Sequence, residues 1–337
     1  MPNTNTALTV QLTDRPAIGR RMINLAIEYN FIVIFIAVVI IATMLSSSFM
    51  TFTNISNLFQ QAAVVGVVAV GMTFVILTGN IDLSVGSIVA LSGMLVAVLI
   101  GDGYNPTLAV AMTAVVGLGC GAAMGAITAL AQVPSFIVTL AGLVSFRGLT
   151  YLMTDGVPVS GLPQGFAAIS STMIPLLPGF SLSSMGLIFI VLCILAGLLL
   201  RFTVFGEYIY ATGGNPEAAR LSGLPTRLIV TAVFAVSGLM AALGGILLTS
   251  RLRIGQPTAA QGLELDAIAA VVLGGTSLFG GRGGVLGTFF AVMLLQVLRN
   301  IFNLLGLGSF YQMTVTGVII VAAILLNRFI DHRKGRG

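Results

Sequence analysis

Three carboxylates of this chain stand at the edges of long apolar runs, where a charged group can do chemistry. They are Asp82, Glu264 and Asp266. Asp82 could cap the following helix through the backbone amides of Ser84 and Gly86, the interpretation we favour, or it could line a polar pathway together with Ser84. Glu264 and Asp266 could favour a helix N-terminus, or they could coordinate hydroxyl groups at the outer mouth of a pathway.

Arg147 falls inside an apolar run, where an arginine facing lipid costs a few kcal/mol or more. Its side chain should therefore tie helices together through backbone carbonyls or line the route, and the sequence leaves both open. Gly274 and Gly275 would weaken a helix midway. They mark a candidate moving part beside the pathway, although tight packing explains these glycines equally well.

Other residue types exclude several chemistries. The single histidine, His332, lies in the charged C-terminal tail, which excludes a His-rich metal centre and a Ser-His-Asp triad in the membrane. No phosphate-binding GxxxxGK[ST] loop occurs, so the chain cannot bind ATP in that manner. The net charge of +5 is explained by loop arginines, and no nucleic-acid partner is expected.

A polar interval at residues 213–225 has the sequence of one short helix. Asn215 can cap the first free N–H groups, Pro216 suits the first helical position, and Glu217 lies at the positive end of the helix dipole. Gly223 supplies a left-handed stop. The helix would have about two turns, too few for stability alone in water, so the membrane surface or a partner protein must hold it.

The elements that position these residues are membrane helices. The chain is 57% hydrophobic and 7% charged, whereas a soluble domain carries about a quarter charged residues. A span needs about 20 mostly apolar residues. We therefore predict an all-α polytopic membrane protein with about ten transmembrane helices. The predicted spans are 31–47, 62–79, 84–100, 107–131, 135–153, 183–201, 228–250, 264–279, 284–304 and 311–328.

The basic residues predict the orientation of these spans. An even number of spans puts both termini on one side, which would hold eleven of the arginines and lysines, while the other side holds Arg251 and Arg253. By the positive-inside rule both termini are cytoplasmic. The predicted organisation is a cytoplasmic segment 1–30, a transmembrane domain 31–328 with a cytoplasmic loop 202–227, and a cytoplasmic tail 329–337. Spans two to five and seven to ten could form inverted four-helix repeats.

Three motifs together resemble the permeases of ribose-type monosaccharide ABC importers, over roughly residues 50–328. The motifs are Gly71-Met72-Thr73 with the stretch 78–87, Gly213-Gly214-Asn215 with Arg220-Leu221-Ser222-Gly223, and the stretch 264–278 followed by Gly280-Gly281. The spacing of Glu217-Ala218-Ala219 and Gly223 is also similar to the coupling loop of ABC-importer permeases. That resemblance implies an ATPase-coupling set: Asn215, Pro216, Glu217, Ala218, Ala219, Arg220 and Gly223.

The resemblance implies a membrane subunit that forms the pathway for a ribose-like pentose or a related sugar and is not itself an enzyme. ATP and Mg would be used by a separate cytoplasmic ABC ATPase, and no cofactor is expected in this chain. A periplasmic sugar-binding protein would dock on the outer face, where Arg251, Arg253 and Gln256 are candidate contacts, unless the arginines only snorkel. A second permease copy, identical or related, would complete the pathway in the lipid of a bacterial inner membrane.

Other functions remain open at this stage. The same class of importer could carry an autoinducer-type sugar derivative or a branched-chain amino acid. An ion-coupled secondary transporter would need an acidic residue near the bilayer midplane, whereas the carboxylates of this chain are predicted at span ends or in loops. An intramembrane enzyme is disfavoured by the lack of a histidine or a pair of aspartates within a span.

Overall fold

The computed structural model describes residues 30–308 together with residues 311, 314, 317 and 318. Within that part of the chain, twelve helices and one β-hairpin follow one another. They are α1 (Asn30–Leu45), α2 (Phe52–Leu77), α3 (Val85–Gly101), α4 (Pro106–Ala131), α5 (Ser135–Leu152), α6 (Gln164–Ser171), β1 (Met173–Leu177), β2 (Phe180–Ser183), α7 (Ser184–Phe202), α8 (Val204–Gly214), α9 (Pro216–Leu221), α10 (Thr226–Leu252), α11 (Leu263–Leu273) and α12 (Val285–Leu304).

Six of these helices, α2, α4, α5, α7, α10 and α12, are long and apolar enough to cross a membrane. Two shorter apolar helices, α1 and α3, match predicted spans as well. The chain is therefore a polytopic helical membrane protein, as predicted. The predicted tail 329–337 and nearly all of the segment 1–30 and of the tenth span lie outside the described residues.

Two details of the predicted fold are wrong. The chain is not all-α, because Met173–Leu177 and Phe180–Ser183 pair as antiparallel strands. The sequence Pro178-Gly179 between them has the composition of a tight turn, which was the local signal for this hairpin. The predicted span 264–279 is also not one helix, because α11 ends at Leu273 and the glycines that follow it form a loop up to α12.

The core is organised around α2 and α10. From residue 62 onward helix α2 is almost entirely apolar and almost completely enclosed, as expected for a helix with neighbours all round it. Helix α10 packs on α3 and α4 through glycines: Gly245 lies against the backbone of Gly93, and Gly238 lies against Gly117 and Gly121. Small residues allow backbones to touch, which is the main source of helix association where water is absent.

A re-entrant segment, Arg253–Gly262, connects α10 to α11. Gly255 packs against Gly93 and Ala97 in the second half of α3, whereas Ala260 and Glu264 lie against Gly86 in the first turn of α3. The chain therefore returns along α3 into the bundle before α11 begins. With 11 residues, α11 is about 16 Å long, roughly half of the hydrocarbon thickness. Non-helical backbone at such a depth requires enclosure by protein.

The two ends of the bundle differ. One end, which we call the α8–α9 end, holds the final residues of α2, the helices α8 and α9, and the loop between α11 and α12. The other, the hairpin end, holds α6, β1, β2 and the last turn of α10. Ser250 near the end of α10 donates to the Phe166 carbonyl of α6 at 2.8 Å, which fixes that helix to the bundle.

Candidate functional site

Helix α9 is built as the sequence predicts. The Asn215 side-chain oxygen accepts hydrogen bonds from the backbone amides of Glu217 and Ala218 at 3.1 and 3.0 Å, and Pro216 occupies the first helical position. Gly223, with a φ of +84°, closes the helix in the left-handed conformation. The predicted short helix is confirmed, with a length of six residues.

Helix α9 buries one alanine and exposes most of its other side chains. Ala219 is buried against the bundle, whereas Leu221 is 77% exposed. Glu217 and Arg220 form an ion pair of 3.5 Å on the outer face, and such an exposed pair adds little stability. The exposed face leaves the coupling set accessible to a partner, and contact with an ATPase stays a prediction.

Helix α8, beneath α9, was not predicted. Thr203 caps it by accepting from the Gly206 amide at 3.2 Å, and Glu207 lies in its first turn, so a helix-start signal was present in the loop 202–227. The Tyr210 hydroxyl donates to the Gly283 carbonyl at 2.9 Å. Burial raises the pKa of Tyr210, which keeps this hydroxyl a protonated donor.

The three sequence motifs meet at one place, which we call the glycine node and define as Gly79, Gly213, Gly280 and Gly281. The Gly281 amide donates to the Leu77 carbonyl at 2.9 Å. A Cβ atom at Gly280 would lie 2.7 Å from the Gly213 carbonyl oxygen and 2.8 Å from the Gly79 nitrogen. Three backbone segments, the end of α8, the end of α2 and the loop after α11, therefore touch without intervening side chains.

Asp82 is fully buried, with 0% exposure. One of its carboxylate oxygens accepts from the Ser84 amide at 3.0 Å and from the Ser84 hydroxyl at 2.6 Å. The first of these bonds is one of the two that the predicted cap requires. The other oxygen accepts from the Ser237 hydroxyl of α10 at 2.9 Å, while Gly86, the other amide expected in the cap, packs against Glu264. This geometry favours a structural tie between α3 and α10 over a pathway lining.

Arg147 holds the re-entrant segment. Its Nη1 donates to the carbonyl oxygens of Pro257 and Ala259 at 2.9 and 2.8 Å, and its Nη2 donates to the Gly86 carbonyl at 3.4 Å. Of the two alternatives for this residue, the structure shows the tie through backbone carbonyls. The guanidinium supplies the partners that non-helical backbone needs inside a membrane protein.

Glu264 and Asp266 lie at the start of α11, which the re-entrant segment places beside the first turn of α3 and away from the hairpin end. Glu264 contacts Gly86 in the first turn of α3. Asp266 pairs with Arg299 of α12 at 2.8 Å, and both side chains are 32% exposed. Coordination of hydroxyl groups by these two carboxylates at the mouth of a pathway stays a prediction.

Gly274 and Gly275 end α11. Gly274 packs directly on the backbone of Gly287 in α12, and Gly275 has a φ of +85°. Tight packing and a helix end therefore coincide here, and a moving part at this point stays a prediction.

The three candidate contacts for a binding protein lie at the hairpin end. Arg251, Arg253 and Gln256 are exposed, and the Gln256 amide donates to the Thr258 hydroxyl at 3.0 Å. Val159 and Gly255 exchange backbone hydrogen bonds of 2.8 and 2.9 Å, which fixes the loop that carries these side chains. Docking of a partner on this loop stays a prediction.

Comparison with known proteins identifies the family. Residues 54–324 match the family described as branched-chain amino acid transport system / permease component. The chain belongs to this family. It is 45% identical to the ribose import permease protein RbsC of Bacillus subtilis over 88% of this chain and 91% of that protein. It is 41% identical to RbsC of Escherichia coli K12, over 96% and 100%, and 34% identical to the xylose transport system permease protein XylH of the same strain, over 94% and 95%.

These relatives confirm the predicted resemblance to ribose-type permeases. No solved structure matches the chain significantly. As a permease component of this family, the chain is a multi-pass membrane protein of the bacterial inner membrane, as predicted. In the described part of this permease, no cluster of three or more His, Cys, Asp or Glu side chains is arranged to hold a metal ion.

Sequence reasoning missed three positioning residues of this permease: Tyr210, Ser237 and Arg299. Ser237 is a polar residue on an otherwise apolar helix face and Arg299 is a charged residue within a predicted span, and these are the signals that could have found them. The identity of each partner depends on helix packing, because Ser237 is 155 residues from Asp82 and Arg299 is 33 residues from Asp266.

Proposed function

We propose that this chain is the membrane-spanning subunit of an ATP-driven importer and forms the pathway for a monosaccharide of the ribose type. The similarity to ribose import permeases, at 41–45% identity over nearly the full chain, carries this proposal. The similarity to a xylose permease extends it to other pentoses. Residues 31–328 would form the permease body.

The α8–α9 end is cytoplasmic in this proposal, and a separate ABC ATPase binds there. The charge bias supports this orientation, since eleven basic residues lie on the side assigned to the cytoplasm and two on the other. The ATPase uses ATP and Mg, and its cleft holds the exposed face of α9. Closure of the ATPase displaces α9, and the glycine node passes the displacement to α2 and to the loop after α11.

A periplasmic sugar-binding protein delivers the sugar to the hairpin end, where Arg251, Arg253 and Gln256 would register it. The pathway runs between two permease copies, identical or related, and opens alternately to each side. The packing of α2 on α11 and α12, and of α10 on α3 and α4, supports two inverted four-helix repeats.

Branched-chain amino acids are the second candidate cargo, because the matching family model describes a branched-chain amino acid permease. Ion-coupled transport is a third possibility, for which Glu264, half-buried against the first turn of α3, would be the candidate carboxylate. The family described as a permease component of a transport system argues for the importer instead, and Asp266 is already neutralised by Arg299.

Copurification tests the coupling set. The detergent-solubilised protein is expressed with its neighbouring genes, with Glu217 intact, as Glu217→Arg, and as Asp102→Arg. Asp102 is an exposed carboxylate at the hairpin end and serves as the matched control. We expect an ATPase to copurify with the wild type and the control, and Glu217→Arg to lose it. Equal recovery with all three proteins would contradict a role for α9.

Uptake measurements test the cargo. Proteoliposomes that contain the permease, the ATPase and the binding protein are supplied with labelled ribose, xylose or leucine. We expect uptake of a pentose that requires ATP and the binding protein. Uptake of leucine alone would establish the second cargo, and uptake by the permease alone under an ion gradient would overturn the importer.

A further inference from the structure

A polar cleft of about 530 Å³ opens at the α8–α9 end. Its walls are the ends of α2 and α4 and the beginnings of α9 and α10. The polar side chains that line it are Thr78, Asn80, Gln132, Thr212, Glu217, Arg220, Thr226 and Arg227. The cleft shares a wall with α9, but most of it lies outside the coupling set.

Thr212 is the first indication that the cleft holds a ligand. The residue lines the cleft and is 2% exposed, yet its hydroxyl oxygen has no hydrogen-bond partner among the described residues. A buried hydroxyl without a partner costs free energy, and native proteins supply a ligand, an ion or a water for nearly all such groups.

The start of α10 is the second indication. This 27-residue helix begins at Thr226 in the cleft wall, and no side chain caps its first turn. The Thr226 amide donates to the Leu224 carbonyl at 2.8 Å, and the other N–H groups of the first turn, together with the helix dipole, favour an anion at that point. Thr226 and Arg227 are the first two residues of the helix, so a hydroxyl and a guanidinium flank the same position.

The charges of the lining agree with an anionic ligand. Glu217 is the one carboxylate of the lining, and Arg220 is its ion-pair partner at 3.5 Å. Arg227 forms no ion pair within the part of the chain that the structure describes. One cation is therefore left for a ligand, next to hydroxyl and amide donors.

We propose that this cleft binds a phosphate group, held by Arg227, the first turn of α10 and the Thr212 hydroxyl. A phosphate accepts several hydrogen bonds at once, which suits a site with a fork-shaped donor, backbone amides and a hydroxyl. The phosphate belongs either to the headgroup of an anionic phospholipid or to a free phosphate ion. The phospholipid alternative depends on the proposed cytoplasmic orientation of this end, whereas the free-phosphate alternative does not.

The test uses the full-length protein in detergent and in nanodiscs. Inorganic phosphate is titrated in detergent while thermal unfolding is followed, and phosphatidylglycerol is compared with phosphatidylcholine by native mass spectrometry. The variants are Arg227→Gln and Thr212→Val. The control is Arg282→Gln, which removes an exposed loop arginine outside the cleft at the same end.

We expect Arg227→Gln to weaken binding about tenfold and Thr212→Val about threefold, whereas Arg282→Gln leaves binding unchanged. Thr212→Ser and Arg227→Lys should recover part of the affinity, which separates a lost ligand contact from misfolding. Binding of free phosphate or retention of phosphatidylglycerol supports the proposal and names the source. Absence of both, or an equal loss in the control, overturns it.

Discussion

Two helix interfaces in this permease are held together by different means. Helix α10 packs on α4 through glycine backbones, and a Cβ atom at Gly238 would lie 2.7 Å from the Gly121 nitrogen. Helix α2 packs on α12 through hydrogen-bonded side-chain pairs. The pairs are Thr73 with Thr288 at 2.8 Å, Gln61 with Gln296 at 2.9 Å, and Asn54 with Asn300 at 2.9 Å.

The difference shows how a membrane protein can combine a fixed part and an adjustable part. Backbones in direct contact fit in one register, because a shift along the helix would place a larger side chain where only a glycine fits. Polar pairs impose a weaker constraint, since a hydroxyl or amide can exchange partners at a modest cost. We therefore expect α3, α4 and α10 to move as one body, and α12 to be the helix that moves against α2.

The largest effect is expected at the glycine interface. Gly121→Leu would drive a side chain into the Phe234 carbonyl and the Gly238 backbone of α10, and should cost about 3 kcal/mol of stability or more. Gly119→Leu in the same helix is the control, because no atom outside the helix lies within 4 Å of a Cβ there. Thermal unfolding in detergent measures both. Equal stability of the two variants would contradict the view that glycine contacts make the interface of α4 and α10 rigid.

Arg147→Gln tests the tie between α5 and the re-entrant segment. The variant removes a charged donor from three backbone carbonyls of the re-entrant segment and α3, and should cost about 2 kcal/mol. Protease accessibility of residues 253–262 reports the effect locally. If cleavage there stays as slow as in the wild type, another contact holds the segment.

Tyr210→Phe tests the path from α8 to the loop after α11. The lost hydrogen bond to Gly283 should lower stability by about 1 kcal/mol and reduce sugar-stimulated ATP hydrolysis in the assembled importer. Tyr208→Phe on the same helix is the control. A reduction of stability without any reduction of coupled hydrolysis would show that the node, rather than this hydroxyl, transmits the displacement.

The smallest effect is expected at the polar interface. One of the two hydroxyls donates across the Thr73–Thr288 pair, and each of them has an alternative acceptor in a carbonyl one turn earlier in the chain, at 2.8 and 3.4 Å, so neither depends on its partner alone. Thr73→Val, Thr288→Val and the double variant form a cycle in which we expect a coupling energy of about 0.6 kcal/mol. A coupling of several kcal/mol would make this interface as rigid as the glycine one.

Features set by local chemistry were predictable from the sequence. Helix α9 depends on its own cap, its proline and a glycine stop, and its bounds followed from those residues. Most spans followed from the length of apolar runs. Helix α2 begins ten residues before its predicted span because Asn54, Gln60 and Gln61 interrupt the apolar pattern, and those residues are paired or partly enclosed in the bundle.

Features set by contacts between distant residues could not be predicted. Residues 253–262 have the glycine, proline and polar composition of a surface loop, and half of them are exposed, but the Pro257 and Ala259 carbonyls accept hydrogen bonds from Arg147, a contact that the sequence does not show. Asp82 is a second example. The sequence predicted its hydrogen bond from the Ser84 amide, but not the one from the Ser237 hydroxyl of α10. The convergence of the three glycine motifs also required the fold, since each motif alone is compatible with a flexible loop.

The tie between Arg147 and the re-entrant segment has a consequence for biosynthesis. The acceptor carbonyls of Pro257 and Ala259 are translated 110 and 112 residues after Arg147. While α5 is inserting, only the Gly86 carbonyl among its three acceptors has been made, so the guanidinium must find its other partners in water or headgroups at the membrane boundary, as arginine side chains can do. The inner part of the bundle can close only when the ribosome has delivered residues 257–259. The permease therefore completes its fold late, after its second half has been made.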